Sequence, residues 1–192
     1  MTSHRNARCA LLAIVFTCVA GLLGGCASLP DDAAVVEQLD PETGLTVLRL
    51  GHPLELYREV YRQERADRFG FIAPFETNQM GKREVFLWVA VPAEGTGAST
   101  TPTVSVDGAR LELGPAGNAP DFAGLRSSPY KIPTPWIATF YFRVDSDTAS
   151  RLGTAHALSV NVPGDPGEGT PDAQYTAQVG DDPRLREFAA RH

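Results

Sequence analysis

The side chains able to do chemistry are few and scattered in this sequence of 192 residues. Beyond the first 26 positions the histidines are His52, His156 and His192. A metal site built from one element needs ligands two to four residues apart, and these three have no such spacing. Each reads as an exposed loop or strand residue. Asp145-Ser146-Asp147 opens like a calcium loop, in which alternate side chains offer oxygen. Ala149 then stands where another oxygen is needed, so these aspartates read as a helix cap. Asp165, Glu168 and Asp172 sit in a Gly/Pro-rich stretch and read as a solvated acidic loop rather than a cation site. No Gly-x-Ser-x-Gly elbow, phosphate loop or Gly-x-Gly-x-x-Gly turn is present. The sequence therefore nominates no catalytic residue and no metal ligand. Tyr130-Lys131-Ile132-Pro133-Thr134-Pro135-Trp136 is different in kind. Its prolines stiffen an extended segment, so Tyr130 and Trp136 are candidate anchors for a partner. The alternative is that both rings cap the end of the fold.

The cysteines carry another chemistry. Arg5 and Arg8 precede a run of 15 uncharged residues from Cys9 to Leu23. A spanning helix needs about 20 apolar residues and a signal-peptide core roughly 7–15, so this run reads as a secretory signal. It ends in Leu23-Gly24-Gly25-Cys26, which resembles the lipobox of bacterial lipoproteins. Small residues there let the backbone lie close in a peptidase cleft, and the cysteine thiol accepts a diacylglyceryl group. The resemblance implies cleavage after residue 25 and a covalent lipid on Cys26, with no other cofactor. Ala27-Ser28 follows in place of an aspartate retention signal, which implies the outer membrane, with the domain facing the periplasm. Cys9 and Cys18 leave with the signal, so no thiol remains for a disulfide, a zinc site or a nucleophile.

Composition sets the wider bounds. Hydrophobic residues make up 43%, and Gly (18) and Pro (15) point to many turns. Disorder, collagen, a disulfide scaffold and a polytopic membrane protein are excluded on these numbers. The formal charge of −6 loses the two signal arginines and becomes −8 after cleavage, over 167 remaining residues. An acidic chain is a poor match to phosphate-rich partners, so no nucleic acid is expected. Residues 1–25 form the signal, 26–32 the lipidated start and tether, and 33–192 one β-rich domain.

The elements that must position any site are mostly short strands. Val35–Leu39 and Leu45–Leu50 flank Asp40-Pro41-Glu42-Thr43-Gly44 and read as a hairpin. Leu54–Ala66 is ambiguous, because Leu54, Leu56 and Val60 suggest a strand and Leu54, Tyr57 and Tyr61 a helix. Phe69, Phe71, Ala73 and Phe75 alternate on one side of a strand that Pro74 marks as an edge or a bulge. Glu84–Val91 is apolar on both faces and reads as a central strand covered on both sides, or one covered by a partner. Asp107-Gly108 predicts a tight hairpin between Thr103–Val106 and Ala109–Leu113, followed by a loop over Gly114–Gly124. Trp136–Val144, Ala157–Val162 and Gln174–Val179 are further strands. A short helix over Asp145–Leu152 takes Asp145 or Ser146 as its N-cap and Gly153 as its C-cap, and a terminal helix enters at Asp182. This pattern predicts a mainly β fold, either an antiparallel immunoglobulin-like sandwich or an open barrel, with one or two short helices.

Pro74-Phe75-Glu76-Thr77-Asn78, Met80-Gly81 and Phe86-Leu87-Trp88-Val89 resemble small proteobacterial lipoproteins of unassigned function. That resemblance implies no activity. The expectation is a non-enzymatic lipoprotein that binds or scaffolds another envelope protein while its lipid holds the membrane. The alternative is an envelope hydrolase or ligand carrier with a site that the motifs do not reveal.

Overall fold

Alternating apolar and polar residues turn most of this chain into strands, because successive side chains of a strand point to opposite faces. The computed structural model describes residues 34–58, 69–92, 100–131, 137–164, 167 and 171–192. The signal segment, Cys26, Trp136, Asp165, Glu168 and the second half of Leu54–Ala66 lie outside the described residues. The strands are β1 (Val35–Leu39), β2 (Thr46–Leu50), β3 (Leu54–Tyr57), β4 (Phe69–Gln79), β5 (Lys82–Pro92) and β6 (Thr103–Val106). They continue with β7 (Ala109–Arg110), β8 (Ala116–Gly117), β9 (Ile137–Val144), β10 (Ala157–Val162) and β11 (Ala173–Gln178). Among the described residues two α-helices accompany them, α1 (Ser146–Gly153) and α2 (Pro183–Ala189).

Among the described residues the eleven strands form one antiparallel sheet, in the order β7-β6-β10-β11-β3-β4-β5-β9-β8, with β1-β2 branching from β4. The sheet curls into a half-barrel, so the open barrel rather than the two-sheet sandwich is the architecture. One face of every long strand forms the core, with Leu50, Leu56, Ile72, Leu87, Val89, Val160 and Tyr175 all sealed from solvent. The helices α1 and α2 pack on each other, and α2 lies on β1 and β2. Asp145 caps α1 as expected, its Oδ1 accepting the Thr148 N–H at 2.8 Å. Gly153 is not the cap, which falls at Thr154. Its missing side chain instead lets the helices approach, since a Cβ there would lie 2.3 Å from that of Ala189. At the Asp107-Gly108 turn both residues have positive φ (50° and 79°), the left-handed pair that matches the twist of a tight hairpin. The predicted loop over Gly114–Gly124 contains β8 and a 3-10 turn at Pro120–Ala123.

Pro74 overturns the expectation of an edge strand. β4 is central, flanked by β5 on one side and by both β3 and β2 on the other. Its first half pairs with β3 as far as Ile72, and its second half pairs with β2 from Phe75 onward. Pro74 falls in the gap where one neighbour gives way to the next, so its missing N–H costs no ladder bond there. Tyr130 fills the gap. Its hydroxyl donates to the Pro74 carbonyl at 2.9 Å and accepts the Leu50 N–H at 3.1 Å, standing in for a direct strand-to-strand bond.

The other face of the sheet has two contrasting halves. Over β5 and β9 it is roofed by the segment between Ala116 and Tyr130. Phe122 meets Phe86 edge-on with centroids 6.3 Å apart, and Tyr130 lies 5.0 Å from the Trp88 ring. Beneath them Phe75 stacks on Phe86 at 5.2 Å and meets Tyr141 edge-on at 6.3 Å. The expected double covering of β5 is therefore present. Over β3 and β11 no such roof is present among the described residues.

Candidate functional site

The open half of the outer face is built by strand parity. Leu54 and Leu56 point into the core, which turns Glu55 and Tyr57 outward. On β11, Ala173, Tyr175 and Ala177 are buried, which turns Gln174, Thr176 and Gln178 outward. Thr176 stands directly opposite Tyr57, so both rows share one surface. Among the described residues β3 and β11 are joined at that single position. The strands diverge from it, and a groove of about 800 Å³ opens over the seam. Tyr57 and Phe69 form an edge-to-face pair at 5.3 Å and remain 53% and 41% exposed.

The polar groups of the groove are mixed but lean acidic. The Tyr57 hydroxyl donates to Glu55 Oε2 at 2.6 Å, and that bond, with the carboxylate charge beside it, raises the tyrosine's pKa. Asp172 lines the far side, and its Oδ1 accepts the Gly164 N–H at 3.0 Å. Among the described residues of the lining, Arg58 is the cation. Aromatic faces, side-chain amides, a hydroxyl and two carboxylates can hold and orient a ligand by stacking and hydrogen bonding.

The structure does not bring the nominated residues together. Tyr130 is 3% exposed, so it corrects the expectation of a partner anchor and belongs to the interior. Burial pushes its hydroxyl above the usual tyrosine range. Arg49 lies over its ring at 5.6 Å and donates to the carbonyls of Leu50 and Gly51, further tying down the gap. Trp136 and Cys26 lie outside the described residues. His52 and His156 are exposed, and His156 lies near Asp107, which caps the backbone N–H groups of His156 and Ala157. Among the described residues no group of three or more His, Cys, Asp or Glu is disposed to hold a metal ion.

His192 is the correction among the histidines. Its side chain is buried, 4.7 Å from the Phe188 ring and with Nδ1 3.1 Å from Glu76 Oε2. Glu76 is buried in turn and accepts from Arg83 Nε at 2.8 Å. The three side chains tie the end of α2 to β4 and β5. Burial lowers the His192 pKa, and Arg83 and Arg191 push the same way against the attraction of Glu76. Spacing gave no hint of this cluster, because its members are joined by the fold and not by one element. Its imidazole Nε2 is sealed from solvent, and the cluster acts as a clasp between α2 and the sheet. Beneath the roof, Trp88 Nε1, Tyr141 Oη and Ser128 Oγ are likewise sealed. No protein-family model matches the chain, and no curated protein or solved structure matches it.

Proposed function

We propose that this chain is a bacterial lipoprotein, acylated on Cys26 and held at the outer membrane facing the periplasm, whose β domain binds an envelope component. The anchor is read from Leu23-Gly24-Gly25-Cys26 behind the uncharged run from Cys9. Each buried CH₂ contributes about 0.8 kcal/mol, so two or three acyl chains hold the domain at the membrane nearly permanently. The binding role is carried by one observation, the Tyr57–Phe69 pair left open to solvent at the groove over β3 and β11. A chain that roofs the aromatics of half a sheet face and leaves these two bare presents them to another molecule.

Two variants test the two parts. Cys26→Ala loses acyl labelling and moves from the membrane fraction to the soluble one; continued membrane fractionation contradicts the anchor. Affinity purification from mildly detergent-solubilised envelopes recovers a defined component with the wild-type protein and loses it with Tyr57→Ala. Recovery of the bait alone across several detergents contradicts the binding role.

A further inference from the structure

We infer that the groove over β3 and β11 takes a neutral glycan, a chain of hydroxylated sugar rings. The inference rests on the binding role proposed above and names its ligand class. Four features of the groove select that chemistry. Tyr57 lines the groove and Phe69 packs edge-to-face beside it; an aromatic face carries the negative side of the ring quadrupole, which attracts the weakly positive C–H faces of sugar rings. Gln174 and Gln178 each offer two N–H donors and a carbonyl acceptor, the combination that pairs with neighbouring hydroxyls. Glu55 and Asp172 can accept from hydroxyls, and among the described lining residues these two carboxylates outnumber the cation Arg58, which disfavours phosphorylated ligands. Among the described residues β3 and β11 lie inside the sheet order, between β4 and β10, so a ligand meets their outward side chains rather than an outer sheet edge. The polar row along β11 likewise disfavours an acyl chain. The volume of about 800 Å³ falls within the range of small-ligand sites, and the open form suits a chain that runs through it.

The test is a titration of the full-length protein in detergent micelles, followed by NMR of the Tyr57 and Phe69 rings and the Gln174 and Gln178 side-chain amides. The probes are cellotetraose and chitotetraose, with heparin as the polyanionic control. Saturable shifts of these four residues with either neutral probe, and none with heparin, support the inference. Tyr57→Ala then weakens binding about tenfold, or about 1.4 kcal/mol. Gln174→Ala, an exposed change that leaves the aromatic pair in place, weakens it by a smaller factor. No saturable shift with either neutral probe, or equal affinity of wild type and both variants, overturns it. Envelope purification separates the two levels of failure. A component still lost with Tyr57→Ala, in the absence of glycan binding, overturns the ligand class alone. A component neither recovered nor Tyr57-dependent overturns the binding face as well.

Discussion

Phe69 and Phe75 lie on the same face of the same strand, yet Phe75 is sealed from solvent and Phe69 is 41% exposed. Around Phe75 the face is roofed by Phe122, Tyr130 and the turn between them, and the rings beneath form a contiguous stack with Phe86 and Tyr141. Around Phe69 the neighbours are Tyr57 and the polar row of β11. The two halves show that aromatic patterning along a strand asks for a cover without saying who supplies it. On one half the chain covers itself, and the rings work for folding. On the other half the rings gain little from folding and stay available to a ligand.

The largest test of this contrast is a pair of truncations. Trp88→Ala removes a fully buried ring under the roof and costs about 3–5 kcal/mol, whereas Tyr57→Ala on the open half costs less than about 1 kcal/mol. Urea unfolding measures both, and equal losses would erase the distinction between the halves. Tyr130→Phe comes next. It keeps the ring but strips the hydroxyl that bridges Leu50 and Pro74, leaving a buried donor and acceptor unpaired at a cost of about 1–3 kcal/mol. An unchanged unfolding midpoint would show that the gap between β2 and β3 closes without it.

The clasp on the core side predicts an acid limb. Burial lowers the His192 pKa in the fold, so the unfolded chain takes up the proton first as pH falls below about 6.5. Stability therefore falls as the pH is lowered through the ordinary histidine range near 6.5, and His192→Gln flattens that part of the profile. A rise in stability over the same window would mean that attraction to Glu76 outweighs burial. The smallest effect belongs to the groove itself. Gln174→Ala and Gln178→Ala leave the urea midpoint within about 0.5 kcal/mol of wild type, because exposed polar side chains contribute little to folding. A larger loss would make the polar row of β11 structural.

The sequence made the strands legible because alternation is local. The hairpin at Asp107-Gly108, the two-faced β5 and the Asp145 cap could all be read from neighbouring residues. The groove was half legible. Alternation of Leu54 with Leu56 already turns Tyr57 outward, but a competing helical period through Tyr57 and Tyr61 hid it. That β11 would lie beside β3 was not readable, since their pairing joins residues far apart in the chain. The same long-range closure explains Pro74, whose edge-like signal was real but referred to a gap inside the sheet. It also explains Tyr130, an aromatic beside two prolines that faces inward because a backbone gap needed its hydroxyl. His192 lies outside every spacing rule for the same reason.

The most direct test of the central claim is photo-crosslinking in intact cells from a benzophenone amino acid at position 57, compared with one at position 121. Asp121 is exposed on the 3-10 turn Pro120–Ala123, over the roofed half of the face. The account predicts a discrete adduct from position 57 and none from position 121. No adduct from 57, or the same adducts from both positions, would contradict it.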